Sequence, residues 1–401
     1  MPENISPEQY HSQVAALNHE IYRLNVRLNE AERSQIPDCR DPFGNPTEYH
    51  ESQTDYSDVL PQIKYPGYSI PLDPQYEERK RLKRIYAVGG GCMLAHFVLS
   101  DYITAGIYLI VSRIVSAVNP DAASDAITKY IYRSSILAGI MMIVYIITNV
   151  GFARLGMRLT GKKSSDLYKP RDYTPGKAVQ YCMIGVFLLL ITALIASLTE
   201  NVFSKYGYTT DVMEMDGIAV TNTGKAVMLI YTCIVAPVTE ELFFRGMLLH
   251  CFSKANQRFA VFFSALFFGL AHANLPQFTL AFTLGLFLAH ITLIHGSIVP
   301  SIIVHIFVNS FSTAMTEFDF KGSALILVNE IVLLLALTGG IMLLVFRAGN
   351  KIPATTPAQT RRGLSLALAT PLVTITLILQ TLYLFSLIFD APILNTVKSL
   401  F

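Results

Sequence analysis

The chain has 401 residues, of which 52% are hydrophobic and 15% charged, and its mean hydropathy is +0.42. Soluble domains carry charge on nearer a quarter of their residues, so this composition excludes an ordinary soluble protein. The net charge of +2 gives no reason to expect a nucleic-acid partner. The five cysteines are scattered without a CxxC pair, which predicts buried thiols rather than a disulfide framework or a zinc ribbon.

The N-terminal part of the chain is polar. Residues 7–35 predict a helix with one apolar stripe, whose members recur at spacings of three and four: Val14, Leu17, Ile21, Leu24 and Leu28. Such a stripe is typical of a surface helix or of one that self-associates. Periodicity disappears from 36 to 75, where Pro, Asp, Gly and Tyr become frequent, which predicts an irregular linker. Residues 1–84 are therefore expected to be a cytoplasmic helix and linker.

Apolar segments fill the rest of the chain. Nine of them occur, at roughly 86–117, 134–153, 178–198, 225–250, 259–275, 276–295, 298–315, 323–346 and 364–389. At 1.5 Å per residue, a run of about 20 residues crosses a hydrocarbon core of about 30 Å. A glycine triplet, residues 89–91, predicts a late start or a break in the first segment. The pattern predicts an all-α, polytopic transmembrane bundle of about nine spans over 85–389, with a short extracytoplasmic tail, 390–401.

The orientation follows from the lysines and arginines of the short loops. They are concentrated before the first segment, in the 154–177 loop and over 347–362, whereas the loops 199–224 and 316–322 are acidic. This asymmetry predicts a multi-pass protein of the cell membrane, with its N-terminus in the cytoplasm and its C-terminus outside.

Three charges interrupt the fourth apolar segment, in the stretch TEELFFRG from Thr239 to Gly246. An ionised carboxylate at the bilayer centre costs about 3 kcal/mol on insertion scales, so Glu240 and Glu241 need partners. Arg245 shares a helix face with Glu241, and the two side chains are expected to pair. On an α-helix Glu240 is turned about 100° away and is free to face a different cavity. One arginine for two carboxylates leaves a surplus charge, which favours a functional site.

Polar side chains of two neighbouring segments reach a similar depth. His272 follows the run FGLA in the fifth segment, and His305 and Asn309 lie one turn apart in the seventh. At about 1.5 Å per residue, these groups and Glu240 fall within a layer of about 8 Å. A carboxylate and an imidazole suit the activation of water, while a second imidazole and a carboxamide suit an oxyanion site. Glu240, His272 and His305 also suit catalytic zinc, so both alternatives stay open.

The three elements resemble the motifs of the CAAX protease and bacteriocin-processing family of intramembrane endopeptidases, also called the Abi family. Those motifs are EExxxR, FxxxH and HxxxN or HxxxD. Here they read Glu240-Glu241-x-x-x-Arg245, Phe268-x-x-x-His272 and His305-x-x-x-Asn309. The resemblance covers about 225–315, the expected catalytic core. Eukaryotic members remove the last three residues after a prenylated cysteine, but nothing in this sequence indicates a prenylated substrate.

The resemblance implies a role for each motif residue. Glu240 and His272 are expected to activate the attacking water, and His305 and Asn309 to form the oxyanion site. The supporting residues are Glu241 and Arg245. Metal dependence is disputed in the family, so zinc and no cofactor are both open, with Glu240, His272 and His305 as the ligands of any metal.

Three functions compete for this pattern. The first is an intramembrane endopeptidase that cleaves a peptide or a membrane-tethered protein between the fourth, fifth and seventh segments. The second is an inert relative that acts as an immunity or scaffold protein, and the intact motifs count against it. The third is a transporter with an ion or proton relay, against which the lack of an evident repeat counts. The expected partners are the substrate and the lipid bilayer, with self-association through the N-terminal helix as a further expectation.

Overall fold

The structure is a computed structural model that describes eight stretches of the chain. They are 7–35, 74–120, 123–206, 208, 221–254, 256–318, 320–350 and 357–389. Every regular element within them is a helix and none is a strand, so the predicted all-α fold is confirmed. The predicted tail and nearly all of the predicted linker lie outside the described residues.

Two compact units divide the chain, Met1–Leu82 and Lys83–Phe401. The first contains α1, Pro7–Gln35, which confirms the predicted N-terminal helix. The apolar stripe of α1 is open to solvent, since Leu17 is 60% exposed and Leu24 is 57% exposed. The cytoplasmic position of this unit stays a prediction.

After α1 the described chain forms a series of helices that ends at Phe389. They are α2 (Pro74–Val118), α3 (Ser124–Arg133), α4 (Ser135–Leu159), α5 (Pro175–Ser204), α6 (Asn222–Ser253), α7 (Gln257–Leu270), α8 (Leu275–His295), α9 (Val299–Glu317), α10 (Gly322–Gly349), α11 (Pro357–Leu368) and α12 (Pro371–Phe389). By length and composition, seven of the described helices can cross a membrane: α2, α4, α5, α6, α8, α9 and α10. The apolar helices α7 and α12 are shorter. The chain is therefore a multi-pass membrane protein, whereas the count of nine spans and the orientation stay predictions.

The first predicted segment differs from the structure at its start and at its glycines. α2 begins at Pro74, ahead of the predicted start, and passes through the glycine triplet without a break. A Cβ at Gly90 would lie 2.7 Å from the backbone nitrogen of Val373 in α12. The glycines therefore allow two helices to pack closely, as small residues do at helix contacts in membranes.

The last predicted segment, 364–389, is divided into two helices. α11 ends at Leu368 and α12 begins at Pro371. Proline has no backbone N–H and disfavours helix at the residue before it, which explains the division. A short helix, α3, also occurs between the first two predicted segments, where the sequence analysis predicts no element.

A buried apolar core beside the polar side chains is formed by α5, α8 and α9, together with Phe346 of α10. Buried side chains from all three helices make up this core, and they include Tyr181, Ile184, Leu188, Leu284, Leu288, Val304 and Val308. Lipid is as apolar as these side chains, so close packing rather than escape from water holds the helices together. The core gives α9 a fixed position, which in turn places its polar residues against α6.

Three segments around the polar side chains have the wider π-helical hydrogen bonding. They are Ile146–Val150 in α4, and Tyr231–Val235 and Glu241–Leu248 in α6. Pro237 follows the first π-segment of α6 and cannot donate a backbone hydrogen bond. π-Segments are frequent at functional sites, where they change the direction of the side chains that follow.

Candidate active site

Glu241 and Arg245 form a buried ion pair on α6. Arg245 Nη1 lies 2.9 Å from Glu241 Oε1, and both side chains are 0% exposed. The four-residue spacing predicts this pair. Each charge offsets much of the cost of placing the other inside the membrane, so removal of one partner leaves an uncompensated buried charge.

Arg245 is held from two further sides. Its Cζ lies 4.2 Å from the ring centroid of Phe268, which is a cation–π contact between α6 and α7. Its Nη2 donates to the carbonyl oxygen of Gly285 in α8 over 3.4 Å. A Cβ at Gly285 would lie 3.2 Å from that Nη2, so the missing side chain lets the guanidinium reach the backbone. Three helices thus converge on one guanidinium group.

His305 lies between two carboxylates. Its Nδ1 donates to Glu241 Oε1 over 2.9 Å, and its Nε2 lies 3.8 Å from Glu240 Oε2. A carboxylate accepts hydrogen bonds, so Nδ1 must carry a proton. Glu241 therefore fixes both the orientation and the protonated nitrogen of this imidazole.

Glu240 and Glu241 face the same imidazole, which corrects the expectation that Glu240 faces a different cavity. That expectation assumes a regular α-helix, but α6 becomes π-helical from Glu241 onward. In addition, the two nitrogens of His305 point in different directions, so one ring reaches both side chains. The carboxylates differ in exposure, since the side chain of Glu240 is 12% exposed and that of Glu241 is 0% exposed. Glu241 contacts only protein groups, whereas part of the Glu240 side chain is accessible to a substrate or to water.

His272 lies in the turn after α7, which corrects the expectation that it lies within a helix reaching 275. α7 ends two residues before it, because Ala273 has a left-handed φ of 55° and Asn274 caps α8. The carbonyl of Phe268 belongs to the last helical turn, whose acceptors need partners outside the helix. His272 Nδ1 donates to this carbonyl over 2.8 Å. In the neutral imidazole, Nε2 is then the acceptor.

The ring of Phe268 contacts both histidines. Its centroid lies 4.9 Å from that of His272 and 5.6 Å from that of His305, edge to face in both cases. Among the described residues, no ion pair within 4.0 Å joins His272 to either glutamate. Sequence reasoning assigned Phe268 no role, although the residue is part of the FxxxH motif. The ring of Phe268 therefore contacts both imidazoles and the guanidinium group of Arg245.

Asn309 lies one turn after His305 on α9. Its Nδ2 donates to the carbonyl oxygen of Thr232 over 3.0 Å. Thr232 belongs to the π-helical segment Tyr231–Val235 of α6. A carboxamide has two N–H donors, so a second hydrogen of Nδ2 remains for another acceptor.

A contact between α4 and α6 fixes the residue before Glu240. Asn149 Nδ2 donates to Thr239 Oγ1 over 3.1 Å, and both side chains are buried. Asn149 lies within the apolar segment predicted over 134–153 and belongs to the π-segment of α4. The sequence analysis missed this pair, and the only available signal was a single carboxamide in an apolar run.

The three predicted metal ligands do not fit a zinc site as they are arranged. His305 Nδ1 donates to Glu241, its Nε2 lies 3.8 Å from Glu240, and His272 Nδ1 donates to a backbone carbonyl. Zinc requires ligand atoms at about 2.0–2.2 Å around one point. No group of three or more His, Cys, Asp or Glu in the described part of the chain is placed to hold a metal ion.

Residues 222–311 match the sequence model of a family described as type II CAAX prenyl endopeptidase Rce1-like. All seven motif residues fall inside the match, which confirms the resemblance seen in the motifs. The chain is also similar to a protein of Bacillus subtilis (strain 168) named "Putative membrane peptidase YdiL", with 26% identity over 141 residues. The similar region is 35% of this chain and 57% of that protein, so the chain spans little more than half of that relative. No solved structure matches. The family match implies a protease.

Proposed function

We propose that this chain, which matches the type II CAAX prenyl endopeptidase Rce1-like family over 222–311, is an intramembrane endopeptidase. It hydrolyses peptide bonds of a peptide or of a membrane-associated protein. One observation carries the proposal: Glu241 is enclosed and paired, whereas its neighbour Glu240 is partly exposed and lies 3.8 Å from its partner His305. A carboxylate inside a membrane whose histidine partner lies beyond hydrogen-bond distance is costly, and such groups occur where they perform chemistry.

Glu240 acts as the general base in this proposal. Its carboxylate takes a proton from water, and the resulting hydroxide attacks the carbonyl carbon of the peptide bond. His272 supports this step because its Nδ1 proton is held by the carbonyl of Phe268. Its Nε2 is then an acceptor that orients the same water.

His305 and Asn309 stabilise the negative charge that develops on the carbonyl oxygen. Asn309 uses one Nδ2 hydrogen on Thr232 and offers the other. With both nitrogens protonated, His305 donates from Nε2 while its Nδ1 stays on Glu241. Loss of one donor from such a site typically lowers kcat by about 10²–10³.

The protons balance over the reaction. Water gives one proton to Glu240, and the hydroxide oxygen becomes part of the new C-terminal carboxyl group, whose remaining proton passes to the new amine or to water. When the tetrahedral intermediate collapses, Glu240 returns its proton to the leaving amine. The products are one new C-terminus and one new N-terminus, and the catalytic carboxylate is regenerated.

The proposal is tested by comparing peptide termini across the membrane proteome of the host. Cells express wild type, Glu240→Gln or Glu330→Gln, and termini are read by mass spectrometry. Glu330 is a matched control because it is an exposed glutamate on α10. We expect a set of termini that requires Glu240 and is unchanged by Glu330→Gln, with equal accumulation of the three proteins.

Identical termini in the wild type and the Glu240→Gln strain would contradict the proposal. The scaffold and transporter functions would then be tested by measuring whether Glu240→Gln changes stability or ion uptake.

A further inference from the structure

The apolar stripe of α1 follows the heptad repeat of a coiled coil. With Val14 in position a, Ile21 and Leu28 also fall in position a, while Leu17 and Leu24 fall in position d. Positions a and d of a coiled coil face the partner helix. The seam from Val14 to Leu28 covers two heptads and one further residue, within the 29 residues of α1.

The seam is uncovered in the described structure. Leu17, Ile21 and Leu24 are 60%, 42% and 57% exposed. Isolated helices are marginally stable in water and gain most of their stability from packing of an apolar face. Burial of the apolar stripe against a partner would therefore stabilise α1.

The identities of the seam residues favour two parallel strands. β-Branched residues in position a with leucine in position d are the combination typical of parallel dimers. Two of the three a positions of the α1 seam are β-branched, Val14 and Ile21, the third is Leu28, and both d positions are leucine, Leu17 and Leu24.

The charges beside the seam are compatible with self-pairing. In a parallel pair, position g of one helix faces position e of the next heptad in its partner. Arg27 in position g then faces Glu32, which is an attractive pair, and Glu20 faces the neutral Asn25. Over Gln13 to Glu32 no g–e pair brings like charges together.

A membrane surface suits α1 less well. Helices that lie on anionic membranes have a basic polar face opposite a broad apolar face. α1 carries four glutamates and three arginines, so its polar face is not basic. A strict a and d seam is also narrower than an interfacial apolar face. These features favour a second helix over lipid as the occupant of the stripe.

We propose that α1 pairs with α1 of a second copy of this chain as a parallel two-stranded coiled coil through Val14, Leu17, Ile21, Leu24 and Leu28. A pair this short is weak in free solution, but confinement to one bilayer raises the effective concentration of the second helix. The chain is then a dimer joined outside the membrane, and this inference does not depend on the proposed peptidase activity.

The test is cysteine cross-linking of the full chain in native membranes. Cys39 is replaced by serine in every variant. Each variant then carries one introduced cysteine in the N-terminal helix, from Leu17→Cys, Leu24→Cys, His19→Cys or Arg23→Cys. His19 and Arg23 are matched controls because they are exposed but fall outside the seam. A disulfide requires Cβ atoms at about 3.5–4.5 Å, so mild oxidation reports contact between copies.

We expect at least about fivefold more disulfide-linked dimer for Leu17→Cys and Leu24→Cys than for either control, because only seam positions reach the distance that a disulfide needs. Equal cross-linking at all four positions, or none at any, would overturn the coiled coil. An antiparallel pair packs position a against position d, so it would instead cross-link Leu17→Cys chains to co-expressed Ile21→Cys or Leu28→Cys chains but not to themselves, which would overturn the parallel arrangement. Protection of the seam cysteines from a water-soluble thiol reagent without any dimer would assign the stripe to lipid.

Discussion

His305 Nδ1 donates to Glu241 Oε1 over 2.9 Å, across 64 residues of sequence. The same oxygen lies 2.9 Å from Arg245 Nη1. One buried carboxylate oxygen on α6 therefore fixes a guanidinium on its own helix and an imidazole on α9. The position of His305 beside Glu240 depends on this shared acceptor.

Removal of the Glu241 carboxylate is expected to be strongly destabilising. Glu241→Ala leaves Arg245 buried without its counter-ion, and breaking a buried pair from one side costs about 3–5 kcal/mol. Thermal unfolding of the purified protein in detergent measures the loss. The double variant Glu241→Leu, Arg245→Met is expected to recover much of the stability, because an apolar pair of similar volume replaces the ion pair. A double variant less stable than Glu241→Ala would contradict this explanation.

Phe268→Leu is expected to reduce peptidase activity much more than stability. The substitution removes the ring that contacts Arg245, His272 and His305 but keeps an apolar side chain. Cation–π contacts and edge-to-face ring contacts are each worth about 0.5–2 kcal/mol, so the protein should still fold. We expect at least about a tenfold loss of the Glu240-dependent termini, since small misplacements of reacting groups lower rates by about 10²-fold. Full activity in Phe268→Leu would show that the ring does not position the histidines.

Thr239→Val is expected to destabilise the junction of α4 and α6. Thr239 Oγ1 accepts from Asn149, and its loss leaves a buried amide group without that partner. An unsatisfied buried polar group costs about 1–3 kcal/mol. Thr199→Val is the matched control, because Thr199 Oγ1 bonds to the carbonyl four residues before it, as Thr239 Oγ1 also does. Equal melting temperatures for the two variants would contradict a role for Asn149.

Gly285→Ala is expected to destabilise the protein by about 1–3 kcal/mol, as overpacking of a close contact does. The new Cβ would lie 3.2 Å from Arg245 Nη2 and 3.2 Å from the Cα of Ala265. Gly139→Ala is the control, since a Cβ at Gly139 would meet nothing within 4 Å. Alanine also has the higher helix propensity, so Gly139→Ala should be neutral or stabilising. If both variants melted at the same temperature, the approach of Arg245 to α8 would not require glycine.

Residue spacing was sufficient to predict several contacts of the candidate site. The pairing of Glu241 with Arg245 follows from their places on one helical turn. The approach of His305 to α6 follows from its depth in a neighbouring apolar segment. These predictions succeed because insertion into a membrane requires each charge to find a partner at its own depth.

The rest of the site depends on departures from regular helix geometry, which the sequence pattern does not reveal. At the start of the π-segment both glutamates lie beside one imidazole, Glu241 at Nδ1 and Glu240 near Nε2 of His305. The left-handed backbone of Ala273 ends α7 early and places His272 in a turn. Each of these depends on packing against other helices, and hydrophobic periodicity carries no information about that packing.

In the proposed mechanism, this chain itself hydrolyses peptide bonds with water activated by Glu240. The most direct measurement uses purified protein in liposomes, incubated with host membrane proteins in water enriched in ¹⁸O. We expect wild type and Glu330→Gln to produce new C-terminal carboxylates that each carry one ¹⁸O atom, and folded Glu240→Gln to produce none above background. The same ¹⁸O-labelled termini from Glu240→Gln, or none from folded wild type, would contradict this mechanism.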